Sequence, residues 1–568
     1  MRNLPLLAVA LLGAVPCLEA QVDLASLFPT RPLVEFRLRK SKTFLAHLES
    51  SKIGKVVTDE SMALVWKQLI KNEEIAESWK DFSRRSEENF AWMEMLGKVL
   101  HENDMDVRIA GGWRQQPQME PEWWIAAQFS GPADALTGFA DFATKELSKH
   151  KVPKKGMLQI LGKNRVYVSG GDKSHGVVLP FVHEGSLLLF VGSEGARSFG
   201  EKPARAHESI VRERKEPFVL AADLGSLVGM WADGGIGSVD DKDLIQALGM
   251  DELRTMEFTL DVESGRIVQG FDFGIPATGV LAEVMSLLAS KEGKARELMR
   301  HVPEGIQTSD LWTTDPQRLY RAIKTAVDGV SKAADTEAFD FEQEFQNKFG
   351  FDLVKGLVDP LDGRFLSSQD FGGPVDPGVE VSPLMMSTTA LCVGVKDVDV
   401  FGKSIDTVIR KMGLHVGRKK EQYKDVDLFW FKFLGVLEIH YAIVDDLFVV
   451  AYGGKPKAML HKVVDREKDL AAGQPGFVPS SHLADQLSLV SLNPTGLRVA
   501  DLPTMVGGFA QLLNQFQDLG LSEEEGSMTA IIKAISETAI PLLKKHGVET
   551  SITAMGREGR RLRLVSIW

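Results

Sequence analysis

The sequence predicts an α+β fold of two similar halves, each an antiparallel sheet packed against helices. Three observations carry this. Short apolar stretches bounded by Gly, Asn or Asp turns alternate with longer stretches whose apolar residues keep helical spacing. A unit of strand, aspartate cap, helix and hairpins between Ser387 and Gly454 recurs, in pattern, in the first half of the chain. The chain has 568 residues, 44% hydrophobic and 25% charged, which is ordinary for a folded protein and more than one domain requires.

Taken in order, residues 1–20 read as a secretory signal peptide. Arg2 supplies the charge, Leu6 to Val15 the apolar stretch, and Leu18-Glu-Ala20 the residues before cleavage. Lipidation at Cys17 is the alternative, and Val15-Pro16 is a poor lipobox. The apolar stretch falls short of the roughly 18 residues of a membrane span, and no later run approaches that length. The mature chain is therefore expected to be soluble, and periplasmic or secreted. With Cys17 removed, Cys392 stands alone, so no intramolecular disulfide is expected. Cys392 lies inside an apolar strand and reads as a small buried hydrophobe rather than a nucleophile.

The first half, 21–295, opens with a strand over Leu33–Leu38 and a helix capped by Ser41. Helical spacing follows over Lys55 to Leu69 and Asn72 to Leu100. Strands are expected at Asp106–Ala110 and Pro121–Phe129, with Ser130 to Asp134 as turn and cap of the next helix. Successive antiparallel strands follow at Met157–Ile160, Arg165–Ser169, Gly176–Val182 and Ser186–Val191. Phe218–Ala222 is a strand whose successor Asp223 caps a helix, since a short carboxylate accepts bonds from the free N–H groups of a first turn. Leu253–Val262 and Arg266–Phe273 form a hairpin turning at Glu263-Ser-Gly265. Thr278–Met299 is helical.

The second half, 300–568, follows a junction near Lys291 to Pro303. A strand is expected at Gly305–Asp310, and Asp315-Pro316 opens a helix, proline being tolerated where its missing N–H has no partner to lose. Phe341, Phe345 and Phe349 share one helical face. After a short helix from Phe351 and a strand from Leu361 comes the strand Thr389–Val395, with Asp397 or Asp399 capping the helix behind it. Strands follow at Asp427–Phe433, Val436–Val444 and Leu447–Tyr452, then Ser488–Leu492. Helices around Thr504–Leu519 and Met528–Lys545 and a final hairpin, Glu549–Met555 with Arg560–Trp568, close the chain. Across the halves, Trp123–Asp134 answers Thr389–Asp399, Val177–Val191 answers Leu437–Val450, Phe218–Asp223 answers Leu489–Leu492, and Leu253–Phe273 answers Glu549–Trp568. The agreement is of pattern, with little residue identity.

A formal net charge of −12 argues against general nucleic-acid binding, which needs a basic footprint. The twelve histidines include no HExxH and no pairing with cysteines; His175 and His183, flanking one strand, read as loop histidines. Gly192-Ser-Glu-Gly195 has the wrong spacing for a nucleophile elbow. Gly170 to Ser174 lacks the first glycine of a phosphate loop. Asp425 with Asp427, and Asp240 to Asp243, lack the glycine and terminal glutamate of a calcium loop. No metal or cofactor is expected. Trp123-Trp124 and Phe429-Trp430 lie on strands, where neighbours point to opposite faces, and are the candidate apolar surface.

Three segments carry a resemblance. Leu33 to Val57 has a strand, a helix and a Ser51-Lys-Ile-Gly break; Phe349 to Gly363 has Gly-Phe-Asp-Leu before a strand; Tyr441 to Ala451 is a Tyr-Ala-Ile-Val-Asp-Asp hairpin. Together they resemble a family of exported bacterial proteins known as a domain of unknown function and common in planctomycete-like bacteria. Asp446 stands where that family has glycine. The resemblance implies export and no particular activity. The leading expectation is thus an exported, non-catalytic protein that binds a partner or serves a structural role. The alternative is a periplasmic carrier of an apolar ligand held on the aromatic strands, and the third is a hydrolase whose site is dispersed along the sequence.

Overall fold

The computed structural model describes residues 31–62, 90–114, 122–149, 154–160, 163–169, 176–193, 209–212, 214–233, 245, 248–290, 293–333, 340–371, 387–433, 437–477, 480–507 and 535–568. The signal peptide with Cys17, His175, Gly170 to Ser174, Asp240 to Asp243 and most of the helices expected at 55–100 and 504–534 lie outside these residues. The fold is α+β and divides into two compact units. One comprises Met1–Lys55, Ile70–Lys242 and Asp251–Gly274; the other comprises Val56–Leu69, Asp243–Met250 and Ile275–Trp568.

The first unit contains β1 (Val34–Leu38), α1 (Ser41–Ser50), α2 (Lys52–Thr58, which runs on into the second unit), α3 (Phe90–Glu102), β2 (Asp106–Arg114), β3 (Glu122–Ser130) and α4 (Ala133–Lys149). Then come β4 (Lys154–Ile160), β5 (Lys163–Ser169), β6 (Gly176–His183), β7 (Ser186–Gly192), β8 (Phe218–Asp223), α5 (Leu224–Asp233), β9 (Thr255–Glu263) and β10 (Arg266–Gly274). Its strands pair antiparallel throughout, in the order β4-β5-β6-β7-β3-β2-β1-β8-β9-β10. The apolar positions of α1, α3 and α4 supply one side of the core. Phe44, Leu96, Val99, Leu136 and Phe139 pack on Phe36, Val107 and Phe129 of the sheet.

The opposite face of this sheet carries charge. Direct pairing puts Ala126, Ala110, Glu35, Ala221, Glu257 and Asp272 in one row across six strands, and paired residues share a face. The row is covered by residues 209–212 and 214–216. Ile210 and Val211 pack on Val219 and Ala221. Glu35 accepts from Ser209 Oγ at 2.9 Å, from Ile210 N at 3.0 Å and from Arg108 Nε at 2.7 Å. Arg214 joins the other two carboxylates, Nε to Glu257 and Nη2 to Asp272, both at 2.8 Å.

The second unit contains α6 (Gly279–Leu288), β11 (Thr308–Thr313), α7 (Pro316–Ala333), α8 (Phe341–Phe349), β12 (Leu361–Phe371), β13 (Ser387–Val395), α9 (Val398–Lys411), β14 (Lys419–Tyr423), β15 (Val426–Phe433), β16 (Leu437–Val444) and β17 (Leu447–Gly453). After these come α10 (Pro456–Ala471), α11 (Ser481–Leu489), β18 (Pro494–Asp501), α12 (Ile540–Lys545), β19 (Thr550–Glu558) and β20 (Arg561–Ile567). The antiparallel order is β14-β15-β16-β17-β13-β12-β11-β18-β19-β20. Helices cover both faces. On one, Phe401 of α9 meets Phe448 at 5.1 Å, and Ile409 packs with Phe431 and Tyr441. On the other, α10 lies against β13, β16 and β17 with Met459, Leu460, Val463 and Val464 buried.

Several elements depart from the sequence reading. Ser41 is not the cap of α1. Its hydroxyl donates to Leu100 O and Asn103 O, while Asp104 accepts from Thr43 N at 2.9 Å. β11 begins at Thr308 rather than Gly305. Ser488–Leu492 is the end of α11 and a loop, and the strand there is β18. The helix expected over Thr278–Met299 stops at Leu288 and resumes as a 3-10 turn at Glu297–His301. β14 and α10 have no counterpart in the sequence reading. Of the two candidates Asp397 is the cap of α9, accepting from Val400 N at 3.1 Å; Asp223 caps as expected, and Asp315, expected only to open its helix with Pro316, also caps it. Among the described helices none is long and apolar enough to cross a membrane.

Cys392 is buried on β13, and burial, helped by the nearby Glu467 carboxylate, pushes its thiol well above the ordinary thiol range. In a chain begun at Gln21, a thiol-exchange reagent at pH 8 should therefore label nothing in the folded protein and one thiol in denaturant. Rapid labelling of the native chain would show that β13 opens.

Candidate functional site

In the second unit, a cavity of about 760 Å³ opens between the end of α6, the turn from Lys294 to Arg300, the start of α7, the start of β12 and Lys396. Local chemistry shapes each wall. Pro316 starts α7, and Asp315 Oδ1 accepts from Gln317 N and Arg318 N, both at 3.0 Å. Thr314 N donates to Gly363 O at 3.0 Å, and Gly363 holds φ +93°, a conformation that favours glycine. Lys396 N donates to Pro360 O at 2.8 Å, which keeps the end of β13 beside β12.

The charges on these walls fall into two groups. Arg364 is engaged: Nε reaches Asp362 at 2.7 Å, and Nη2 reaches Asp446 at 2.7 Å. Arg318 is engaged with Glu283, Nη2 at 2.8 Å. Lys294 and Lys396 are different. Both are exposed, and among the described residues the ammonium of neither has a partner.

Arg300 is held from behind. Its Nε–H donates to His301 Nε2 at 3.1 Å, which places the imidazole proton on Nδ1. Nδ1–H then donates to Glu467 on α10, 2.9 and 3.1 Å from its two oxygens. His301 and Glu467 are both buried, so the pair is shielded from water, where a charge-assisted bond is strongest. The terminal nitrogens of Arg300 are left free of bonds to described residues. The arrangement can present a guanidinium fork, tethered through Nε, and two exposed ammonium groups to one open volume.

The aromatic residues singled out from sequence are placed otherwise. Trp124 is 2% exposed and belongs to the core of the first unit, against Gly112, so it is not surface. Trp123 is half-buried and exchanges backbone and hydroxyl bonds with Ser193, the residue after β7. Phe429 and Trp430 take opposite faces of β15. Phe429 stacks on Tyr441 at 5.3 Å with the Arg418 guanidinium 4.8 Å above it. Trp430 stacks on His440 at 5.6 Å with Lys419 Nζ at 4.4 Å. Neither pair makes a joint apolar surface. Asp427 pairs with Lys420, and among the described residues no cluster of metal-ligating side chains is present.

His440 provides a pH test of this face. Burial pulls its pKa below the usual imidazole value, against the pull of Glu438 and Glu421, with Lys457 adding to the lowering. The folded chain therefore binds this proton less readily than the unfolded chain, so His440 stabilises above the unfolded pKa of roughly 6.5, and that contribution is lost as pH falls below it. The melting temperature should decline on acidification from pH 7 to 5, and His440→Gln should flatten the slope. An unchanged slope would remove His440 as its source.

The Arg300–His301–Glu467 relay and its two lysines escaped the sequence reading. Arg300 and His301 are adjacent, but Glu467 lies 166 residues from His301, and no motif links them. No protein-family model matches the chain, and comparison with curated proteins finds no match. Among solved structures, the chain is similar to crystal form III of TP0453, with 13% identity, 47% of this chain and 87% of that chain covered, and a TM-score of 0.23. It is similar also to crystal form IV of TP0453, with 12% identity, 45% and 82% coverage and a TM-score of 0.21.

Proposed function

We propose that this is an exported, non-catalytic binding protein, built from two copies of one α+β module, that takes a ligand in the cavity of its second unit. The observation that carries the reading is the set of cationic groups around that open volume, Lys294, Arg300 and Lys396, which no described residue neutralises. Three cations left unpaired around one volume, one of them tethered through Nε, make that volume locally positive, which suits recognition of a ligand. Duplication is supported by strand order, since adding ten to every label of the first unit reproduces the order of the second. Export rests on Arg2, Leu6 to Val15 and Ala20, and on the exported bacterial family that the three quoted segments resemble. The apolar-carrier reading draws less support, because the cavity walls are polar and charged and Trp124 is buried.

Native mass spectrometry of the protein released gently from its host tests this. A chain beginning at Gln21 that carries a small added mass, lost in Lys294→Ser/Lys396→Ser, is the expected result. A chain that retains Met1 would overturn export. A bare mass, or a lipid-sized mass indifferent to both substitutions, would overturn binding in this cavity.

A further inference from the structure

We infer that the cavity takes a small organic or inorganic oxyanion with two or more negative charges, bound through phosphate or carboxylate oxygens. This rests on the binding reading above and names its ligand class.

The charge balance at the walls favours an anion. Of the carboxylates there, Asp315 is occupied by the first N–H groups of α7 and Asp362 by Arg364, which leaves Glu297 opposed to three unpaired cations. The chain as a whole is acidic, with net charge −12. That repulsion acts from afar and is screened beyond a Debye length of about 10 Å at 0.1 M salt, so the local cations decide.

Geometry narrows the class. Arg300 uses Nε on His301, and its terminal nitrogens remain as a planar pair suited to two oxygens of one carboxylate or phosphate group. Lys294 and Lys396 stand on other walls and act as point charges for a further group. A single monovalent anion satisfies only part of this set. The volume of about 760 Å³ admits a ligand with more than one anionic group.

The test is isothermal titration of the full mature chain with sodium pyrophosphate and with sodium citrate, at 20 mM and at 300 mM salt. Saturable binding of at least one probe is expected, weakened tenfold or more by Lys294→Ser/Lys396→Ser and also by raising the salt. Both lysines are exposed, so the variant should fold, and an unchanged melting temperature without probe checks that. Arg300→Lys keeps the charge and removes the fork, and should weaken binding by a further measurable factor. Vesicles containing cardiolipin, whose headgroup carries two phosphodiester anions, form a second arm. Co-sedimentation with the same lysine dependence supports oxyanion recognition and assigns it to a lipid headgroup. No binding of any probe at millimolar concentration, or binding indifferent to the lysines, overturns the inference. A retained neutral ligand that the lysine variant loses overturns it too, while leaving the binding role intact.

Discussion

Arg214→Met should destabilise the first unit by about 3–5 kcal/mol, the usual cost of removing one partner from a buried charge cluster. Arg214 bridges Glu257 and Asp272, neither of which is exposed to solvent. Removing the guanidinium takes a 2.8 Å ion pair from each of two neighbouring carboxylates that pair directly across β9 and β10 in a dry setting, while Arg212 Nε stays 3.8 Å from Glu257. For a unit of this size the melting temperature should fall by on the order of 10 °C. Hydrogen exchange should locate the damage, with amides of 214–216, β9 and β10 exchanging first and those of β3 and β7 last. Adding Glu257→Leu and Asp272→Leu to the same chain should recover most of the loss, because a well-packed apolar replacement of buried charges is often neutral or better. An Arg214→Met chain melting at the wild-type temperature would mean that this cluster contributes nothing to the unit.

That cluster shows where sequence legibility ended. Alternation in Val34 to Leu38 identifies β1 correctly, and the same rule assigns Glu35 and Arg37 to an outward face. Glu35 is nevertheless buried, because residues 209–211, far along the chain, lie over it. Local signals were reliable wherever local chemistry decides. Asp397, Asp315 and Asp223 cap the helices they precede, and Ser264-Gly265 turns the β9–β10 hairpin with φ of 51° and 72°. They misled where a distant group does the same job: α1 takes its cap from Asp104, leaving Ser41 to bond Leu100 and Asn103. β14, Lys-Lys-Glu-Gln-Tyr, has no apolar alternation to reveal it; its register with Val426–Trp430 of β15 makes it a strand. The cavity was illegible for the same reason. Lys294, Arg300 and Lys396 are ordinary surface types, brought together by the return of β13 beside β12 and by the grip of α10 on His301.

Gly363→Ala should damage the cavity as much as any single change in it. Gly363 sits at φ +93°, where an alanine costs about 1–3 kcal/mol in backbone strain alone. Its new Cβ would also meet the carbonyl oxygen of Thr314, a backbone atom that cannot rotate away. Relief requires β12 to move from the β11–α7 turn, which weakens the Thr314 N to Gly363 O bond and its contribution of about 0.5–1.5 kcal/mol. Together these predict a loss of roughly 3 kcal/mol in the second unit, read as an earlier denaturation midpoint. Pyrophosphate or citrate binding should fall with it even under conditions where the variant remains folded, because the turn and first residues of α7, with Asp315 and Arg318, and the start of β12, with Arg364, are the two cavity walls that must separate. Gly417→Ala is the matched control: no heavy atom lies within 4 Å of its new Cβ, and its φ is not positive, so its effect should stay within about 0.5 kcal/mol. If both variants unfold at the wild-type midpoint, the turn does not need its glycine, and the rigidity assigned to this wall of the cavity is wrong. If Gly363→Ala alone is destabilised yet still binds the probe with wild-type affinity, the wall is strained but is not what holds the ligand, and recognition rests on Arg300 and the lysines.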